Sequence, residues 1–132
     1  MAFDLANEER KEAVTNRLAE LVIEQDYHLN TGFLSTPFFL HVLAEYGYLD
    51  VAYRLLEQES CPSWLYAVTK GATTIWESWN GVSPEGELAY SLNHYSYGAV
   101  CNFLLPMWPV FDLSQSSREM SILLLSLGSV VH

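Results

Sequence analysis

Residues 36–58, TPFFLHVLAEYGYLDVAYRLLEQ, read as two helices and the turn between them. Thr36 is a side chain that caps helix N-termini. Pro37 follows at the first helical position, where its missing N–H costs nothing. Leu40, Leu43 and Tyr46 recur on one helical face. Gly47 suits the left-handed residue that ends a helix. A second helix is predicted from about Asp50 to about Gln58, with Val51, Tyr53 and Leu55 among its apolar residues. Only two or three residues separate the two, and so short a link makes them antiparallel neighbours.

The same punctuation extends to either side. Upstream, residues 7–25 read as an amphipathic helix, with Asn7 able to cap it and Glu8 and Glu9 in its first turn. Val14, Leu18, Leu21 and Val22 form its predicted apolar stripe. A connector follows over 26–35, with Gly32 as its hinge. Downstream, Ser60-Cys61-Pro62 breaks the chain, and 63–69 reads as one or two helical turns ending at Gly71. Residues 73–79 fit a strand or a helix. Asn80-Gly81 and Pro84-Glu85-Gly86 signal turns. A last helix is predicted from about Asn93 to Leu105, stopped by Pro106 and Pro109. Period-two alternation is almost absent. The fold class is all-α, built of antiparallel helix hairpins spaced as in a toroid or solenoid of helix pairs.

Composition narrows the function. The 132 residues carry 6 Lys and Arg against 16 Asp and Glu, a net charge of −10. Such a chain repels phosphates and anionic membrane surfaces, so neither nucleic acid nor membrane is expected as a partner. No Lys or Arg falls between Gly71 and Ser117, which leaves that region without a cradle for an anionic ligand. A neutral ligand such as a sugar fits better. The charged start lacks the apolar core of a signal peptide, and the longest apolar-rich run, 122–131, is too short to span a bilayer. A cytoplasmic location is the expectation. Cys61 and Cys101 do not make a disulfide framework. His28, His41, His94 and His132 are dispersed without metal-ligand spacing, so neither a metal nor another cofactor is expected.

One stretch concentrates chemistry. Trp64, Trp76 and Trp79 fall within sixteen residues, and two of them flank Glu77. Aromatic faces cover the apolar face of a sugar ring, and a partly desolvated carboxylate can take a proton from water. Composition alone favours the other reading, tryptophans that pack a core and a Glu77 that points to solvent, since most aromatics at such spacing are packing residues. The cluster Asn93-His94-Tyr95-Ser96-Tyr97 has the same ambiguity. Asn93 suits a helix cap. His94 reads either as a core histidine or as a hydrogen-bonding group at the mouth of a helical barrel, facing Glu77 across the loop.

At these residues the sequence resembles a family. Thr31-Gly32-Phe33-Leu34-Ser35-Thr36-Pro37, Gly71-Ala72-Thr73-Thr74-Ile75-Trp76-Glu77-Ser78-Trp79 and Asn93-His94-Tyr95-Ser96-Tyr97-Gly98-Ala99-Val100 resemble, in order and content, the bacterial inverting α-L-rhamnosidases of glycoside hydrolase family seventy-eight. The likeness runs from about Glu8 to Phe103. It implies a catalytic domain folded as an (α/α)6 toroid, of which this chain is a C-terminal portion. It implies Glu77 as the general base that activates water and His94 as a hydrogen-bond partner of rhamnose. By position, Trp76 and Trp64 would wall the sugar. The family's general acid lies in an acidic motif with no counterpart ahead of the matched region here.

The expectation is therefore a partial toroid over 1–105 and a divergent tail over 106–132. When complete, the enzyme would hydrolyse terminal α-L-rhamnosyl linkages with inversion. Its partners would be a rhamnose-containing carbohydrate and either the missing half of the domain or a second copy of the chain. The alternatives are a non-catalytic helical module that binds sugar or protein, and a remnant without function.

Overall fold

A computed structural model gives the fold of residues 7–107. The predicted tail, 106–132, lies outside the described residues from position 108 onward. Five α-helices follow one another: α1 (Glu8–Glu24), α2 (Thr36–Glu45), α3 (Leu49–Leu56), α4 (Trp64–Thr69) and α5 (Cys101–Met107). A 3₁₀ turn, Ser96–Val100, leads directly into α5. There is no strand among the described residues, only one antiparallel bridge between Val82 and Leu88. No described helix is long and apolar enough to cross a membrane.

The hairpin of α2 and α3 forms as its sequence implies. Thr36 is the first helical residue rather than the cap. Its hydroxyl donates back to the Gly32 carbonyl at 2.8 Å, and Pro37 follows in the first turn. α2 sits at the centre and packs against α1, α3, α5 and the 3₁₀ turn. Leu40 and Leu43 of α2 and Leu55 and Leu56 of α3 are almost completely buried, joined by Leu29 and Val100 from flanking segments. Burying each such side chain contributes about 1.5–3 kcal/mol.

Three helices stop by one device. At the end of α2 the Tyr48 N–H reaches the Leu43 carbonyl at 2.8 Å and the Gly47 N–H reaches Ala44 at 3.3 Å, with Gly47 at φ 88°. These are the paired bonds of a Schellman ending. The end of α4 repeats them through Ala72 to Ala67 and Gly71 to Val68, with Gly71 at φ 78°. The end of α1 repeats them through Tyr27 to Val22 and Asp26 to Ile23. There Asp26 occupies the glycine position at φ 50°. Its short polar side chain is one of the few that tolerate this conformation.

Helix α1 is rotated from its predicted orientation. Val22 and the half-buried Leu18 do face the core, but Val14 and Leu21 are 47% and 43% exposed. The inward face is instead Lys11, Thr15, Ala19 and Val22. Thr15 and Ala19 are small, which lets α1 lie close against the hairpin. The Thr15 hydroxyl is satisfied by the Lys11 carbonyl at 2.9 Å, so its burial leaves no orphan polar group. A bond from the Tyr48 hydroxyl to the Asn16 side chain, 2.8 Å, ties α1 to the turn of the hairpin. Asn7 stands at the cap position without a side-chain bond to the helix.

Two further boundaries differ from the reading of the sequence. Residues 73–79 are neither strand nor helix. The last helical segment begins at Ser96, not Asn93, and α5 runs to Met107, past Pro106.

Candidate functional site

Between Gly71 and Ser96 the chain makes no helix. It goes out and back on itself. Ile75 accepts from the His94 N–H at 2.7 Å, Glu77 donates to the Ser91 carbonyl at 2.9 Å, and Gly81 accepts from the Ala89 N–H at 2.9 Å. The tip is a turn from Ser83 to Gly86, closed by a 2.9 Å bond, with Gly86 at φ 86°. Gly81 is required by close approach. A Cβ there would lie 2.9 Å from Cε3 of Trp76 and 3.2 Å from Leu92.

This outward-and-back excursion brings the three sequence motifs together. From the first, Phe33 stacks on His94 with ring centroids 5.0 Å apart and planes 12° apart. From the second, Trp79 lies over Tyr97 at 3.6 Å and 22°. Its indole N–H donates to the Thr31 carbonyl at 3.0 Å. Phe33 also meets Tyr97, and His94 stacks on Tyr95. Trp64 closes the cluster edge-on to Trp79. An open cleft of about 530 Å³ lies alongside, lined among others by Asn30, Thr31, Gly32, Ser78, Trp79 and Asn80.

The four residues singled out from the sequence take distinct places. Glu77 is half-buried, and its Oε2 accepts the Ser91 N–H at 3.0 Å. His94 is half-buried in the ring stack, and its Nδ1 accepts the Ser96 N–H at 3.3 Å. The His94 backbone is bonded to Ile75, two residues before Glu77, so the two polar side chains stand on paired neighbouring segments. Trp76 is buried, edge-on to Tyr66 and under Gly81. Trp64 is buried against Phe39, with its indole N–H on the Tyr97 carbonyl at 3.0 Å.

Phe33, Trp79, Tyr97 and Ser91 were not named as site residues from the sequence. The first three lay inside quoted motifs, but nothing in spacing alone shows that positions 33, 79 and 97 come together. Ser91 carried no signal. Burial pushes the Tyr97 hydroxyl and the Cys61 thiol above their ordinary values, so both are neutral at physiological pH. Cys61 is at the cleft and donates to the Trp79 carbonyl. Among the described residues, no three His, Cys, Asp or Glu side chains gather in a way that could hold a metal ion. The chemistry on offer is a half-buried carboxylate on one run of the excursion and, on the paired run, an imidazole stacked among rings. That suits a neutral polyhydroxylated ligand and proton transfer from water.

Comparison with known proteins gives one answer. The model of the bacterial α-L-rhamnosidase six-hairpin glycosidase domain matches residues 1–107. An α-L-rhamnosidase of Formosa agariphila is 51% identical over 104 residues, covering 76% of this chain and 11% of that protein. The crystal structure of Streptomyces avermitilis α-L-rhamnosidase complexed with L-rhamnose superposes with a TM-score of 0.74 at 44% identity, over 76% of this chain and 10% of that one. The native enzyme of Aspergillus terreus superposes with a TM-score of 0.72 at 36% identity, over 74% and 12%. This chain thus spans about a tenth of the length of the relatives it matches. Its helix hairpins are a portion of an (α/α)6 toroid, and the chain belongs to the bacterial α-L-rhamnosidase six-hairpin glycosidase family.

Proposed function

We propose that this chain carries the general-base side of an α-L-rhamnosidase site. Glu77 takes a proton from water as the water oxygen attacks the anomeric carbon of a terminal α-L-rhamnosyl unit. The glycosidic C–O bond breaks, and the leaving oxygen is protonated by an acid. His94 hydrogen-bonds the sugar, and the Phe33, Trp79 and Tyr97 rings cover its apolar face. In an inverting reaction the acid sits about 6.5–9.5 Å from the base, leaving room for the water. No residue of this chain matches the acidic motif that carries the general acid in the family it resembles, so the acid is supplied by the rest of a toroid or by a partner chain.

The observation that carries this reading is the pairing of the Glu77 and His94 segments, in a chain 51% identical to an α-L-rhamnosidase over 104 residues. L-Rhamnose titrated into the labelled chain is expected to move the Glu77 and His94 backbone resonances ahead of those in α1. Absence of any response there would sink the proposal. Hydrolysis of a natural α-L-rhamnoside by the purified chain is expected to be undetectable, since loss of one acid or base partner costs about 10²–10⁴-fold. Robust turnover by the chain alone, unaffected by Glu77→Gln, would overturn the assignment of the base.

A further inference from the structure

Tyr90 has φ 64°, a left-handed backbone on a bulky side chain. Such a residue is a genuine outlier that persists only where its surroundings over-determine it. Its ring is 76% exposed, so packing of the side chain does not account for it. The register of the excursion does. On the outward run, three residues (Ser78, Trp79 and Asn80) lie between Glu77 and Gly81. On the return, Tyr90 alone lies between Ala89, bonded to Gly81, and Ser91, bonded to Glu77. The longer side bulges and places Trp79 in the ring cluster. The shorter side closes the same gap in one step, which the left-handed geometry of Tyr90 supplies. The product is a reciprocal pair: the Glu77 N–H donates to the Ser91 carbonyl at 2.9 Å, and the Ser91 N–H donates to Glu77 Oε2 at 3.0 Å. Ser91 is itself braced, its hydroxyl bonded to the backbone N–H and carbonyl of Asn93.

We propose that Tyr90 is a positioning residue, whose left-handed backbone aims the Ser91 N–H at Oε2 of Glu77 and so fixes the carboxylate with Oε1 as the oxygen that takes the proton from water. The inference rests on the reading of Glu77 as the general base. A charge-assisted bond from a backbone amide holds one oxygen without a side chain that could swing away. It also restricts the rotation of the carboxylate before the water arrives, which is the preorganisation that proton transfer needs.

The test uses the full chain, ¹⁵N-labelled, and needs no substrate, so its outcome is independent of whether Glu77 acts as a base. On a pH titration the Ser91 amide proton is expected to shift with the ionisation of Glu77, and that shift is expected to vanish in Glu77→Gln. Tyr90→Gly is expected to keep the shift, because glycine enters the left-handed region freely. Tyr90→Val is expected to lose it, and Ser91 amide exchange is expected to rise about tenfold or more as a hydrogen bond to a charged group is lost. Protected amides of Leu43 and Leu55 report that each variant is folded. A Ser91 shift unchanged in Glu77→Gln would overturn the proposal. So would a folded Tyr90→Val that retains the shift. Should Tyr90→Val not fold, Tyr90→Ala is read in its place: loss of the shift there with its retention in Tyr90→Gly supports the proposal, and a folded Tyr90→Ala that retains the shift overturns it.

Discussion

Between Glu8 and Thr69 most residues lie in helices, and leucines buried between α2 and α3 hold them. Between Gly71 and Ser96 there is no helix, and backbone bonds between the outward and return runs, a bulge, stacked rings and the buried Trp76 do the holding. The first region is stabilised by area removed from water, a non-directional force that tolerates exchange of one apolar side chain for another of equal volume. The second is stabilised by directional contacts that fail one at a time. The residues proposed for chemistry, Glu77 and His94, both lie in the second. A scaffold of burial carries a site of geometry.

The contrast can be broken by substitution. Leu43→Ala, at a fully buried position in α2, is expected to cost about 2–5 kcal/mol and to lower the denaturation midpoint of the whole chain. A loss confined to the excursion would show that the two regions are not one cooperative unit. Gly81→Ala drives a Cβ against the buried Trp76 ring, an overpacking that is expected to cost about 1–3 kcal/mol. Its signature differs: hydrogen exchange should accelerate at Glu77, Ala89 and His94 while amides of α2 and α3 hold. Equal acceleration in both regions would erase the distinction. Ser63 lies in the first region, where its buried hydroxyl accepts the Tyr66 N–H at 3.0 Å and caps α4. Ser63→Ala is expected to cost about 1 kcal/mol in thermal or chemical unfolding.

The smallest effect is on pH dependence. Burial pushes the Cys101 thiol in α5 above its ordinary value of 9.0. The folded chain then holds that proton more tightly than the unfolded one. The contribution to stability is complete below the unfolded value and is lost as pH rises past it toward the folded value. Replacing Cys101 by Ala is expected to flatten the alkaline fall in stability, read as the slope of unfolding free energy against pH above about 9. An unchanged slope would mean that the thiol does not contribute.

The same contrast separates what the sequence revealed from what it hid. Gly47 and Gly71 marked real helix ends, because a left-handed residue leaves a signature in a single amino acid. Leu40, Leu43 and Leu55 marked the core because burial follows helical spacing. The inward face of α1 was concealed: its contact uses Thr15 and Ala19, and hydrophobicity ranks Val14 and Leu21 above both. Resemblance to known enzymes named Glu77 and His94, which composition left undecided. It did not reveal Ser91, whose contribution is a backbone N–H that any residue but proline possesses. Nor did it reveal the Trp79–Thr31 bond, which joins positions 48 apart in sequence. The start of the last helix was misplaced because Asn93 bears a capping side chain, yet its N–H is spent on Ser91 in the turn.

The shared ending of α1, α2 and α4 bears on tolerance to insertion. Each stop signal is complete within its own last turn and the two residues after it, so each helix terminates without instruction from the segment that follows. Inserting or deleting residues in such a segment changes closure entropy only slowly, by about 0.6 kcal/mol for each doubling of length. Residues inserted at the tip of the excursion, Ser83–Gly86, away from Glu77, His94 and the buried Trp76, are therefore expected to leave the hairpins intact.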